Sequence, residues 1–400
     1  MLNKKIARSI VSCVLIILLL LNCTSCLSVT LSGVGGGEAP TPEGCYIDGK
    51  KADILVPETE SIRYKRMTEE ERMVYNAAYT ALYYGHNEFL LNNVDYQKIL
   101  DIYGEALTAF IYDFPEFFWL SGYVKANAEY VIGSTEGNVK VSMGLFDYWN
   151  DSNLPKAKDI FNNELDSLLN KARNVPDAWE RIKFVHDEIV DMTTYDKESY
   201  ELGEAAGAMK DAYSNSAYGP LVEGIALCGG YAKLFELVMH RLGYECEYIT
   251  GTADGGPHAW NLLVLDDDYY YVDLTWDDPD LDDGMRLYNY FCVNDAMIEK
   301  THTVDPELKN IKVSATEYNY HVHESLYLTE YNFTSVENIV SSNKSENVIS
   351  IRFADNKAKR EAFEDLVDNY KFYDILHKLN KDDYSYIDND DLNILTFIIG

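Results

Sequence analysis

The chain has 400 residues, 47% of them apolar, and a formal charge of −32. That apolar content is ample for packed cores in two or three domains. The charge excludes recognition of nucleic acid or anionic lipid through a basic face and makes basic peptides or amines better partners electrostatically.

Lys4, Lys5 and Arg8 precede a mostly apolar run over 10–21, too short to cross a bilayer comfortably and suited to a secretory signal. The segment that follows, Asn22-Cys23-Thr24-Ser25-Cys26, resembles a bacterial lipobox, whose cysteine is lipidated. Cys26 has the small Ser25 before it; Cys23 has Leu20 three residues back and is the alternative. Residues 1–26 are therefore expected to be a lipoprotein signal peptide, and the protein to work outside the cytoplasm, lipid-anchored to the cell membrane. Four glycines within 33–37, then Pro40 and Pro42, make 27–60 read as a flexible linker.

Residues 61–170 read as an N-terminal helical and strand region. Thr68 and Glu71 have capping-box spacing, and Met73, Ala77, Ala81 and Tyr84 continue a helical period. A second helix is predicted over 95–112 and ends before the aromatic run Asp113-Phe114-Pro115-Glu116-Phe117-Phe118-Trp119, read as structural packing. Alternation over 123–132 and 138–148 predicts two strands, and helices follow over 155–172 and 177–190. In the latter, Trp179, Ile182, Val185 and Ile189 form the buried stripe; His186 lies beside it and reads as structural. Residues 197–217, rich in Ala, Gly and Ser, read as a loop covering one side of the site.

The stretch 224–276 organises the rest. Cys228-Gly229-Gly230 opens an apolar helical stripe (Tyr231, Leu234, Phe235, Val238, Leu242) that Gly243 closes. Strands are predicted over 245–250, 258–265 and 269–274. Cys228 thus stands at a helix N-terminus, where the macrodipole favours an anion. His258 opens the second strand and Asp273 lies near the end of the third. Thiol, imidazole and orienting carboxylate in that order form a nucleophilic triad.

Three blocks carry a family resemblance: Leu227-Cys228-Gly229-Gly230-Tyr231-Ala232, His258-Ala259-Trp260-Asn261 and Val272-Asp273-Leu274-Thr275-Trp276. Together they resemble the signature of the transglutaminase-like superfamily, over roughly 175–285, and Thr194-Tyr195-Asp196 resembles what precedes the nucleophile in its bacterial members. The resemblance implies an α+β, papain-like core, with the Cys228 helix packed on an antiparallel sheet that bears His258 and Asp273, acting as the catalytic triad on a peptide or protein substrate. The superfamily contains transferases, peptidases and amidases, so the acyl acceptor stays open between water and an amine. Animal crosslinking enzymes carry Trp directly after the cysteine; Gly229 stands there here, which argues against their substrate preference. A non-catalytic surface binding module and an envelope-structural lipoprotein remain alternative readings.

Side-chain parity adds a geometric expectation. His258 and Asp273 share a sheet face if the intervening turn has two residues, Asp266-Asp267, and lie on opposite faces if it has three.

The catalytic core with its extension is read as 171–330, with 286–330 Tyr-rich and strand-like. The acidic run 277–284 lacks EF-hand spacing and reads as a solvated loop. A small α/β C-terminal domain is read as 331–400; after a polar linker at 341–346 it has strands over 348–353, 384–388 and 392–399 and helices over 357–367 and 370–379. Beyond the two roles assigned to cysteines, Cys45, Cys246 and Cys292 cannot all pair among themselves, and no zinc spacing occurs; no cofactor or metal is expected.

Overall fold

The computed structural model describes residues 27–34, 43–59, 61–206, 213–279 and 285–400. The expected signal segment with Cys23 and Cys26, and residues 280–284 of the acidic run, lie outside the described residues. Among the described residues no helix is long and apolar enough to cross a membrane, and Cys45, Cys228, Cys246 and Cys292 are free thiols. The chain divides into two compact units, residues 1–163 with 196–219 and residues 164–195 with 220–400.

The first unit is built on a six-stranded sheet, ordered β1 (Leu27–Val34), β5 (Leu120–Val131), β6 (Glu136–Leu145), β4 (Glu88–Asp95), β2 (Gly44–Ile47) and β3 (Lys50–Ala52). Three of these strands correct the expectation of a flexible linker over 27–60. β1 lies parallel to β5 and β2 is antiparallel to β4. The reason is legible afterwards: Leu27, Val29 and Leu31 alternate with Ser28, Thr30 and Ser32, a strand period that the neighbouring glycines obscure. Val29 and Leu31 are exposed, as an edge strand allows.

Helices Glu69–Tyr83 and Tyr96–Asp113 follow the predicted spacing. Thr68 Oγ1 accepts from Glu71 N–H, and Glu71 Oε2 accepts from Thr68 N–H at 2.7 Å, so the capping box forms. Asp95 caps the second helix, and at its far end Asp113 accepts a 2.6 Å bond from the Tyr75 hydroxyl. The aromatic run packs as expected: Phe118 meets Trp149, Phe161 and Tyr218 at ring distances of 4.7–5.4 Å. Residues 197–217, expected as a loop, contain a helix, Lys197–Ala206, and a short 3-10 turn, Tyr213–Asn215. Their Ala and Glu content supports a helix where their glycines suggested none.

The second unit holds the predicted core. Helix Ala178–Met192 leads to the short β7 (Thr194–Tyr195), which pairs parallel with β8 (Ile225–Ala226) just before helix Cys228–Leu242. A four-stranded antiparallel sheet follows, in the order β11 (Asp268–Val272), β10 (Gly256–Leu265), β9 (Cys246–Ala253) and β12 (His302–Val304). Residues 286–330 are less strand-rich than expected: β12 and β13 (Tyr327–Leu328) are their strands, joined by turns and two single-turn helices. Of their tyrosines, Tyr290 is buried and Tyr288, Tyr318, Tyr320 and Tyr327 are half-buried, with no strand alternation along the segment.

The C-terminal part forms a further sheet, β13-β14-β16-β15, with β14 (Val348–Phe353), β15 (Tyr384–Asn389) and β16 (Ile394–Ile399). Its core is apolar, with Phe372 stacked on Phe397 at 4.0 Å. Helix Phe333–Ser342 runs into the expected polar linker, because Val336 and Val340 bury against this core.

Candidate active site

The chain enters the Cys228 helix through Gly224, at φ +67°, a left-handed conformation glycine adopts without strain. Leu227 is the N-cap and supplies no side-chain cap, so the backbone N–H groups of the first turn are not met by a capping side chain. Tyr231, Leu234, Phe235 and Val238 are buried, and Gly243 closes the helix at φ +88°. Polar ties fix the helix to the sheet: the Asn261 side-chain amide donates to Ala232 O at 3.0 Å, and Glu236 accepts from Tyr248 N–H at 2.8 Å.

The hairpin turn between β10 and β11 is Asp266-Asp267, at φ +50° and +68°, the two left-handed residues of a type I′ turn. Leu265 faces Asp268, and the ladder runs to Asn261 opposite Val272. The next step places Asp273 beside Trp260, on the face that Trp260 shares with His258. The strand stops at Val272, two residues short of the predicted 274, because Asp273 begins a one-turn helix, Leu274–Asp277, and caps it. Its Oδ1 accepts from Trp276 N–H at 3.2 Å.

Asp273 Oδ2 is then free for the site. It lies 2.7 Å from His258 Nε2, which leaves Nδ1 as the ring's other nitrogen, and the Cys228 thiol is close enough to the ring to raise its pKa. Cys228, His258 and Asp273 are buried, at 6%, 7% and 0% exposure, so this chain of contacts works in a low-dielectric setting. Burial opposes charge on His258, yet the Asp273 charge and then the Cys228 thiol raise its pKa well above the usual histidine range. Burial likewise works against the Asp273 carboxylate, and His258 and His302 together hold its pKa well below the carboxylate range.

His302 is the residue the sequence did not single out. Its Nε2 lies 2.9 Å from the same Oδ2. It comes from β12, two strands from β10 across β9: His258 pairs with Gly251, Gly251 with Val304, and His302 is two residues from Val304. Parity therefore gives His258, Trp260, Asp273 and His302 one face. Gly251 makes the crossing possible, since a Cβ there would fall 2.1 Å from Thr303 O and 2.7 Å from the Trp260 ring. Trp260 stacks on His258 at 5.8 Å and meets His302 edge-on at 5.0 Å. No local signal marks His302, one of eight histidines, because its significance rests on a strand pairing across some fifty residues.

His258, Asp273 and His302 are also the one His/Cys/Asp/Glu group among the described residues whose ligand atoms all lie within 4.8 Å. Their 2.7 and 2.9 Å separations are hydrogen-bond lengths. Zinc ligands about 2.0–2.1 Å from the ion would stand roughly 3.3 Å apart, so the group as it stands is a hydrogen-bonded one.

A second polar cluster lies one turn from Asp273. His186, fully buried, has Nδ1 3.0 Å from Asp187 and Nε2 3.3 Å from Asp277. Lys183 and Arg286 complete it through Asp187. No thiol is among these members.

No family model and no curated protein matches this sequence. Among solved structures, one is a transglutaminase, 14% identical, at TM-score 0.27, covering 38% of this chain and 44% of its own. Another is a candidate cysteine protease from Cytophaga hutchinsonii, 12% identical, at TM-score 0.23, covering 35% of this chain and 52% of its own. The chain thus spans about half the length of these structures. Likeness at such TM-scores carries no weight for function.

Proposed function

We propose that the protein is a thiol enzyme that cleaves or transfers the acyl group of a peptide or glutamine amide through a Cys228 thioester. The observation that carries this reading is the buried set Cys228, His258 and Asp273, with the imidazole bonded to the carboxylate through Nε2 at 2.7 Å and the Cys228 thiol close enough to the ring to raise its pKa. His258, its pKa raised, holds the proton drawn from the Cys228 thiol as sulfur attacks the carbonyl carbon. The oxyanion accepts from backbone N–H groups at the start of the Cys228 helix, each such donor being worth roughly 3–4 kcal/mol. His258 then passes the proton to the leaving nitrogen, the C–N bond breaks, and a thioester remains. Water or an amine attacks it while His258 takes the incoming proton, and the thiol is regenerated. Asp273 keeps the ring oriented and compensates the imidazolium.

The test is labelling of Cys228 with iodoacetamide, read by peptide mass spectrometry, together with release of amine from a panel of peptide and glutamine amides. Fast labelling at Cys228 that His258→Ala abolishes, with amine release that Cys228→Ala abolishes while stability stays within about 1–2 kcal/mol, is the expected result. Amine release that survives Cys228→Ala would defeat the mechanism. Equal labelling with and without His258 would leave a binding module as the reading.

The N-terminal segment extends the proposal to an extracytoplasmic lipoprotein held through Cys26 or Cys23. Expressed in a bacterial host, the full chain should fractionate with membranes and be released by the double change to Ala; unaltered partitioning removes the anchor from the proposal.

A further inference from the structure

The reading above uses one of the two hydrogen bonds that Asp273 Oδ2 accepts. The other comes from His302, and the donors behind His302 are arranged with a direction. Its Nδ1 lies 2.8 Å from Thr301 Oγ1, and that hydroxyl lies 3.0 Å from the Tyr290 hydroxyl. An ionised carboxylate only accepts, so the Nε2 of each histidine must present its proton to Oδ2. A neutral imidazole protonated on Nε2 needs a donor at Nδ1. Thr301 supplies it, and Tyr290 in turn donates to Thr301. Burial pushes the Tyr290 phenol up, which keeps it a donor at neutral pH.

We propose that His302 is a positioning residue of the thiol site, held by Thr301 and Tyr290 in the tautomer that donates to Asp273 and thereby setting the orientation and strength of the Asp273–His258 bond. The proposal rests on the Cys228 reading for its catalytic meaning, but its physical content concerns His258 and Asp273. Two effects follow. Oδ1 is committed to the helix cap, so a second donor on Oδ2 fixes the carboxylate plane against rotation. Sharing one oxygen between two N–H groups also divides its charge, so His258 holds its proton less tightly than it would alone with Asp273. The geometry makes accidental contact a poor explanation. His302 reaches Oδ2 from the far edge of the sheet, past β9 and β10, over the one β9 glycine, where a side chain cannot fit, and Trp260 packs against both rings. The ionisable groups facing this set are Cys228 from the helix, Asp277 one turn beyond Asp273, and Tyr290.

The experiment compares full-length wild-type protein with His302→Leu, His302→Gln and Thr301→Val, each checked for folding by thermal melt. The primary readout is the titration of the His258 ring, followed by NMR of 15N-labelled protein, and it does not depend on turnover. In His302→Leu the His258 midpoint should rise, with restoration toward wild type in His302→Gln, whose amide returns one donor. Thr301→Val should shift it the same way and less, because loss of the donor at Nδ1 weakens the preference for the tautomer that presents Nε2–H to Asp273. The rate of Cys228 alkylation at neutral pH should fall about tenfold in His302→Leu as the ring loses its fixed pose. If His302→Leu does not fold, Thr301→Val alone decides. A His258 midpoint unchanged in the folded variants, or a fall in alkylation that His302→Gln does not relieve, overturns the proposal and leaves His302 as packing. Wild-type alkylation indifferent to His258, together with the expected NMR shifts, would instead remove the enzyme reading and keep the positioning role.

Discussion

Two of the buried histidines of the second unit, His258 and His186, each have a carboxylate partner, and only one of them faces a thiol. His258 has a carboxylate on one nitrogen and the Cys228 thiol beside its ring; His186 has a carboxylate on each nitrogen. The two clusters meet at one turn of helix, which Asp273 opens and Asp277 closes, the Asp277 N–H donating to Asp273 O at 3.2 Å. Both carboxylates are fully buried, and burial pushes both pKa values up. Asp273 nevertheless ends well below the carboxylate range, while Asp277 is pushed up to about 6. The difference lies in the donors. Asp273 Oδ2 receives two histidine N–H groups at 2.7 and 2.9 Å. Asp277 has His186 at a longer 3.3 Å, the Tyr290 N–H at 2.8 Å, and the negative charge of Asp273 nearby. A buried histidine–carboxylate contact is therefore no mark of catalysis by itself; the group on the histidine's other nitrogen decides what the pair can do.

The largest effect that can break this contrast is Asp273→Ala, which deprives two buried histidines of one acceptor. Stability should fall by about 3–5 kcal/mol, measured by urea unfolding, and Cys228 labelling should disappear. Labelling retained in the folded variant would make the orienting carboxylate dispensable. A smaller loss, about 1–3 kcal/mol, is expected for His186→Gln, with the Cys228 labelling rate unchanged. Were labelling to collapse as well, the two clusters would be one functional unit. The smallest effect is on pH dependence. Folded Asp277 keeps its proton up to about pH 6, whereas the unfolded chain releases it near 3.8, so stability falls as pH rises between those values. Asp277→Asn should flatten the urea midpoint against pH in that window. His258 has the same sign at the other end: its contribution is complete below the ordinary histidine range and is lost as pH climbs through its raised folded value. Asp273, with its value lowered, contributes above the carboxylate range and loses that contribution only as pH falls. An unchanged acid-side slope in Asp277→Asn would assign it to another group.

What the sequence disclosed follows from the range of the interactions involved. Cys228 at a helix start and the Asp266-Asp267 turn are local features, and parity carried them as far as the His258–Asp273 contact. His302 was invisible because the pairing of β12 with β9 joins distant segments, and the glycine that permits the crossing lies on the other strand. Strand β1 was obscured by the glycines after it, although its apolar and polar residues alternate. Helix Phe333–Ser342 was missed because Val336 and Val340 became apolar anchors only once the C-terminal sheet existed to receive them.

The turn at Asp266-Asp267 makes the hairpin a counting device. Each aspartate can be exchanged for asparagine or glycine without altering which residues face one another, because those side chains also tolerate positive φ. A single residue added or deleted there is a different kind of change. It would carry Asp273 to the reverse of the sheet and part it from both histidines, with every residue of β10 and β11 still present. The site is thus far more vulnerable to a change of chain length at this exposed tip than to a change of chemistry.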